Sequence, residues 1–253
     1  MTRTATSNAP PVTRIAMWSG PRNISTAMMR SFEARGDSAV TDEPFYSAYL
    51  HRTGIDHPMR EEVIASQSRD PSAVAAMLIG PVPDGKPIWY QKHMTLHMIE
   101  TVDRRWMAQV SNAFLIRDPA AVLASYASKR AEVSLADIGF VQQRELFEQV
   151  AERIGVPPPV IDAADVLADP GRTLGALCEA LKIPYTPAML QWAPGRRGTD
   201  GVWAPAWYAA VERSTGFAAP APAKAAPALS AQHLRIVEQA QPHYDALAKY
   251  RLS

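Results

Sequence analysis

The sequence predicts an α/β fold: a central, mostly parallel sheet with helices on both faces. Three observations predict it. Short apolar runs of strand length alternate with longer amphipathic stretches, the pattern of strands joined by crossover helices. Asp-Pro pairs at Asp118-Pro119 and Asp169-Pro170 open helical patterns just after apolar runs, a favourable helix start for both residues. The length, 253 residues at 47% apolar and 20% charged, suits one sizeable soluble domain.

Taken in order, residues 1–12 are polar and proline-containing and read as a tail. Residues 13–18 form the first strand, ending in Ser19-Gly20-Pro21. Ile24, Ala27, Met28 and Phe32 then recur at helical spacing over residues 25–34. Residues 38–41 are a second strand running into Asp42-Glu43-Pro44, residues 87–91 a third, and residues 113–116 a fourth ending in Arg117-Asp118-Pro119. A fifth strand at residues 159–163 precedes a helix with Leu174, Leu177, Cys178 and Leu181 on one face. This organisation gives a domain at 13–217 and an alanine/proline linker at 218–229. A helical segment at 230–253 follows, packing back through Leu234, Val237, Ala240, Tyr244 and Leu247, with Pro242 breaking or kinking it.

Composition narrows the function. The net charge is +1, so nothing global points to nucleic acid or a membrane surface, and any anion site must be local. The single cysteine, Cys178, excludes an internal disulfide and a cysteine-rich metal site, and it reads as a buried thiol. No apolar run reaches the roughly 18 residues of a membrane span, and the tail has no apolar core of a signal peptide. A cytoplasmic protein acting on a small molecule, with a homodimer left open, is the expectation.

The chemistry concentrates in the first strand–loop–helix. Backbone N–H groups and the positive end of a helix dipole suit a doubly charged oxyanion. A nucleotide-triphosphate loop would read GxxxxGK followed by Ser or Thr, whereas Gly20 is followed by Pro21-Arg22-Asn23-Ile24-Ser25-Thr26, without the second glycine or the lysine. This segment resembles the 5′-phosphosulfate loop of sulfotransferases that use 3′-phosphoadenosine-5′-phosphosulfate (PAPS), a family with a P-loop-like fold. Arg22 falls on that family's basic position, and Ser25 and Thr26 on its hydroxyl positions. Asn23 and Ile24 depart from its pattern, Ile24 standing where glycine is usual. A β-branched residue disfavours the positive φ that glycine allows, so a different loop path is expected.

Two further segments are similar to the same family, in the same order. Arg117 ends a strand and Ser125 follows eight residues later on the next helix, the arrangement of the family's 3′-phosphate element. Arg196-Arg197-Gly198-Thr-Asp-Gly201-Val-Trp203 is similar to its RKGxxGxW segment, which closes over that phosphate. A planar guanidinium fork suits phosphate, and a glycine-containing loop can wrap an anion. Residues 160–184, with Asp165-Val166-Leu167 as a turn, resemble the strand, turn and helix that complete the family core. The resemblance implies PAPS as co-substrate and needs no metal.

Sulfuryl transfer requires a base for the acceptor's proton. Two candidates end strands: Glu43, at the position of the base in Arg-loop members of the family, and His93, near the place of another branch's Lys-x-His but here reading Lys92-His93. Glu43 is favoured, Asp42 is a turn residue or partner, and Lys92 is expected to neutralise the sulfuryl group or bridging oxygen. His93 and His97 have metal-ligand spacing but no third ligand nearby. The acceptor is expected beside Phe45, Tyr46 and Tyr49. The rivals are a nucleotide kinase, which would need Mg²⁺ ligands and a loop lysine, and a nucleotide-binding relative that no longer transfers. A pyridoxal-phosphate enzyme ranks behind both.

Overall fold

In a computed structural model of the chain, residues 12–127, 133–217 and 229–252 are described. Five strands form one all-parallel sheet: β1 (Thr13–Ser19), β2 (Ser38–Asp42), β3 (Ile88–Met94), β4 (Ser111–Ile116) and β5 (Val160–Asp162), in the order β2-β3-β1-β4-β5. The central strands read as unbroken apolar runs because helices cover both of their faces. Side chains alternate between two cores. Ile15, Met17 and Leu115 meet Met28, Phe32 and Leu174 on one face; Ala16, Trp18 and Phe114 meet Leu146 and Phe147 on the other. Cys178 is a buried free thiol of the first core.

The strand order positions the site. From β1 the chain moves to one side to lay down β2 and β3, then crosses to the other side for β4 and β5. The connections leaving β1 and β4 therefore diverge and open a crevice at the carboxyl ends of these two neighbours, the place where open parallel sheets bind ligands. Helix α1 (Ser25–Ala34) leaves the β1 loop and α2 (Tyr46–Thr53) follows β2. The helix Pro119–Ala127 follows β4, where the Asp118 carboxylate accepts the Ala121 N–H at 2.9 Å. Asp169 caps the helix Pro170–Ala180 in the same manner, and a third Asp-Pro start, Asp70-Pro71, opens Pro71–Leu78.

Several sequence expectations change. β3 runs on to Met94, three residues beyond the strand expected at 87–91, which places Lys92 and His93 inside the pleat instead of at its end. Residues 46–84, which matched no motif, supply the helices Tyr46–Thr53, Arg60–Ser66 and Pro71–Leu78. Asp165, Val166 and Leu167 lie in a short helix, Ala163–Ala168, because Asp162 caps it from the end of β5. Pro242 sits within one helix, Ala231–Ala248. Pro242 and Glu238, whose carbonyl loses its usual partner there, are both exposed, so water can take up the orphaned oxygen.

That terminal helix packs on the domain. Ile236 and Ala240 meet Val122, Leu123 and Tyr126; the Tyr244 hydroxyl donates to Asp162 at 2.6 Å. The tail expected at 1–12 and the linker at 218–229 lie outside the described residues, except Val12 and Leu229. Among the described residues no helix is long and apolar enough to cross a membrane.

Candidate functional site

A cavity of about 410 Å³ opens in this crevice. Its donor-rich end is the β1 loop. Pro21, Arg22, Asn23, Ile24, Ser25 and Thr26 line it, together with Arg117 and Ser125. Arg22 and Ile24 both adopt left-handed backbone, with φ of 58° and 34°. Ile24 thus takes the conformation expected to need glycine, at a steric cost that the surrounding structure must hold. What holds it is visible. Ile24 packs against the core face of β1, and the Asn23 amide beside it donates to the Leu115 carbonyl at 2.7 Å. Arg117 Nη1 donates to the Arg22 carbonyl at 2.6 Å, fastening the loop to the end of β4.

Three features make this end an anion cradle. No side chain caps α1, so the N–H groups of its first turn are left facing the cavity. Arg22 Nε donates to Ser125 Oγ at 3.0 Å, which brings the two phosphate elements read from sequence to one place. Arg22 and Arg117 are each half-buried, and neither is in a salt bridge with a carboxylate among the described residues. Burial lowers the pKa of both guanidinium groups, and the charge of Arg22 lowers that of Arg117 further. Two desolvated like charges side by side are an arrangement that a bound polyanion relieves.

The other end is built around Lys92. Its ammonium donates to Asp42 Oδ1 at 2.8 Å, Glu43 Oε1 at 2.5 Å and the Tyr208 hydroxyl at 2.8 Å, which uses all three of its protons. Tyr208 donates to Asp42 Oδ2 at 2.7 Å, and the Gly201 N–H reaches the same oxygen at 3.1 Å. Trp203 Nε1 donates to the Tyr208 oxygen at 3.0 Å. Burial works against the Lys92 ammonium, but Asp42 and Glu43 outweigh it and hold its pKa well above the usual range. Burial pushes the Glu43 carboxyl upward; Lys92 opposes this and Asp42 adds to it. Glu43 lines the cavity, as do Tyr46, His57, His97, Trp203 and Trp207.

Not every predicted residue arrives. His93 does not line the cavity. Successive side chains of a strand point to opposite faces, so once β3 extends past it, Lys92 and His93 must separate. His93 stacks on Trp18 with ring centroids 4.4 Å apart and lies near Phe45 and Trp106. His97 instead stacks between Tyr46 and Tyr49, so the pair expected at metal spacing faces two different environments. Phe45 and Tyr49 do not line the cavity; Tyr46 does.

Arg196, Arg197 and Gly198 do not line it either. Arg197 Nε faces Glu33 of α1 at 3.4 Å and its Nη2 donates to the Ala193 carbonyl at 2.5 Å. Asp200 pairs with the buried Arg30 at 2.6 Å. These contacts draw the segment onto α1 and leave Arg196 and Gly198 exposed.

The buried imidazole gives a measurable pH effect. Burial depresses the His93 pKa from 6.5 to about 3. A base with a lowered folded pKa stabilises the fold above its unfolded value and loses that contribution as pH falls. Wild-type protein is therefore expected to lose stability between about pH 6.5 and 3 more steeply than His93→Leu, in urea titrations at several pH values. Parallel slopes would contradict the placement of this ring.

A family model described as a sulfotransferase domain matches residues 13–251, nearly the whole chain. The chain belongs to the sulfotransferase family. Among solved structures, it is similar to the sulfotransferase domain from the curacin biosynthetic pathway. That match has a TM-score of 0.53 and 18% identity, covering 92% of this chain and 98% of that one. A sulfotransferase from Alicyclobacillus acidocaldarius matches with a TM-score of 0.52 and 12% identity, over 72% of this chain and 87% of the other. Both likenesses are of fold. A protein of Arabidopsis thaliana called branched-chain-amino-acid aminotransferase-like protein 2 is 34% identical over 233 residues, 92% of this chain and 41% of that protein. The chain thus spans about two fifths of the length of that relative.

Within this sulfotransferase domain, sequence reasoning missed Tyr208 and His57 as site residues, and it read Trp203 only as part of a phosphate loop. The sole signal for Tyr208 was indirect: a buried lysine with two acidic neighbours needs a further hydrogen-bond acceptor. Nothing local marks Tyr208 as that partner. His57 comes from the unmatched segment, and its Nδ1 lies 2.8 Å from the Tyr46 hydroxyl.

Proposed function

We propose that the protein moves a sulfuryl group from PAPS to a hydroxyl or amine acceptor, with Glu43 as general base. The observation that carries this reading is the convergence of Arg22, Arg117 and Ser125 on the uncapped start of α1. The donor set fits the nucleotide: guanidinium groups, hydroxyls and backbone N–H groups, all suited to phosphate and sulfonate oxygens.

In this reading Arg22, Ser25, Thr26 and the first N–H groups of α1 hold the 5′-phosphosulfate, while Arg117 and Ser125 hold the 3′-phosphate. When bound, PAPS supplies an activated sulfuryl group. Arg22 and the helix start place positive charge where negative charge develops. Glu43 receives the acceptor's proton; its raised pKa suits a base working near neutral pH. Lys92 orients Glu43 and, with all its protons engaged, acts through that carboxylate. Tyr46, Trp203 and Trp207 flank the acceptor's approach.

Phosphoryl transfer fits less well, because the β1 loop has no lysine and Lys92 is held by two carboxylates. The same pairing disfavours Lys92 as the neutral amine that a pyridoxal-phosphate aminotransferase requires.

Incubation with PAPS and a panel of phenols, alcohols and amines is expected to yield sulfated products and equal amounts of adenosine 3′,5′-bisphosphate. Phosphorylated products from ATP–Mg²⁺ in the same panel would overturn the reading. Arg117→Ala is expected to weaken binding of the bisphosphate by about tenfold or more, the size of a lost charge-assisted bond. Unchanged affinity in calorimetric titration would remove Arg117 from the 3′-phosphate site.

A further inference from the structure

Lys92 carries one positive charge and faces two carboxylates, and the two are not held alike. Asp42 accepts from Lys92, from Tyr208 and from the Gly201 N–H. Three donors thus fix both of its oxygens in place. Glu43 has its short contact to Lys92, with His97 Nε2 more distant at 3.9 Å from Oε2. It also sits on left-handed backbone at φ 39°, which turns it out of the run of β2 towards the cavity. The groups facing Glu43 are therefore Lys92 from β3, Asp42 from β2, Tyr208 from the segment beyond Trp203, and His97 from the turn after β3. Burial keeps that imidazole neutral, its pKa well below the usual value.

We propose that Asp42 is a positioning residue that sets the basicity of Glu43 by sharing the Lys92 charge with it. The proposal rests on Glu43 being the base. If Lys92 served Glu43 alone, the carboxylate would be locked in an ion pair and would accept a proton poorly. With Asp42 anchored by three donors, Lys92 is compensated without Glu43, and a second buried negative charge beside Asp42 is unfavourable. Glu43 is then the member of the pair placed to exchange a proton with a molecule in the cavity. The bond from Gly201 back to Asp42, 159 residues earlier in the chain, draws the segment after Arg197 down beside β2, where Trp203, Trp207 and Tyr208 line the cavity.

The test is the titration of the Glu43 carboxyl, followed by carbon-detected NMR on protein labelled at glutamate carboxyls, with Glu43→Gln providing the assignment. No donor or acceptor is present, so the result is independent of whether sulfuryl transfer occurs. In Asp42→Asn, the Glu43 titration is expected about one pH unit or more below wild type, since Lys92 passes to Glu43 and the neighbouring charge is gone. Tyr208→Phe keeps both carboxylates and the ring, and is expected to shift it upward, because Asp42 loses its Tyr208 donor and draws more of the Lys92 charge. If the wild-type enzyme transfers sulfuryl groups, the acid limb of its kcat profile is expected to move with the NMR value in each variant. An unmoved Glu43 titration in whichever variant folds would overturn the proposal. A moved titration without any sulfuryl transfer would leave it standing and remove the function proposed above.

Discussion

Lys92→Met is expected to destabilise the protein by about 3–5 kcal/mol, the cost of breaking a buried ion pair from one side. The reason lies in what remains. Asp42 and Glu43 are nearly inaccessible, and without the ammonium both carboxylates lose the cation beside them while the Tyr208 oxygen loses a donor. Methionine matches the length of the lysine stem, so packing within the β3 pleat is largely kept and the loss reports the charge. A compensating route exists: the carboxylates can take up protons, so the damage should shrink as pH falls and grow as pH rises. Urea titrations of both proteins at pH 5 and pH 8 measure this. A difference below about 1 kcal/mol at pH 8 would mean that the cluster is better solvated than its burial indicates.

Glu43→Gln is expected to lower kcat by about 10²–10⁴-fold, the usual contribution of a positioned general base. Glutamine keeps the shape and an oxygen for Lys92, so affinity for adenosine 3′,5′-bisphosphate should stay within about twofold of wild type. Because the base works deprotonated, wild-type activity should rise with pH through a value above the ordinary carboxylate range, following the direction in which burial moves Glu43. That limb should vanish in the variant. Full activity in Glu43→Gln would show that the proton leaves by another route.

Much of this was legible in the sequence, and the limits have physical causes. The five strands could be read because a parallel sheet covered on both faces leaves uninterrupted apolar runs, as in Ile15-Ala-Met-Trp18 and Ala113-Phe-Leu-Ile116. The loop after β1 and the pair Arg117 and Ser125 could be read because each depends on local spacing along one strand–helix join. Lys92 against His93 could not be decided in the same way. Which of two adjacent residues faces the cavity depends on where the strand ends, and β3 ends three residues later than its apolar composition suggests.

Arg196 and Arg197 mislead for a different reason. Arg197 looks available until its contact with Glu33 is known, and the Arg30–Asp200 pair holds the same segment on α1, leaving Arg196 exposed; these contacts join parts of the chain more than 160 residues apart. Tyr208 was invisible for the same reason. Gly201 and Trp203, read as pieces of a phosphate loop, instead bring it to Asp42 and Lys92: an added methyl at Gly201 would collide with the Trp203 ring at 2.2 Å. The segment is close-packed scaffolding for the Lys92 cluster.

The central claim is that the crevice between β1 and β4 recognises a nucleotide carrying a 3′-phosphate. Isothermal titration of wild-type protein with adenosine 3′,5′-bisphosphate and with adenosine 5′-monophosphate tests it directly, since the two ligands differ in that group alone. The account predicts that the bisphosphate binds at least about tenfold more tightly, a difference of roughly 1.4 kcal/mol, and that the preference disappears in Arg117→Ala. Equal affinities in the wild type, or tighter binding of ATP–Mg²⁺ than of the bisphosphate, would contradict it.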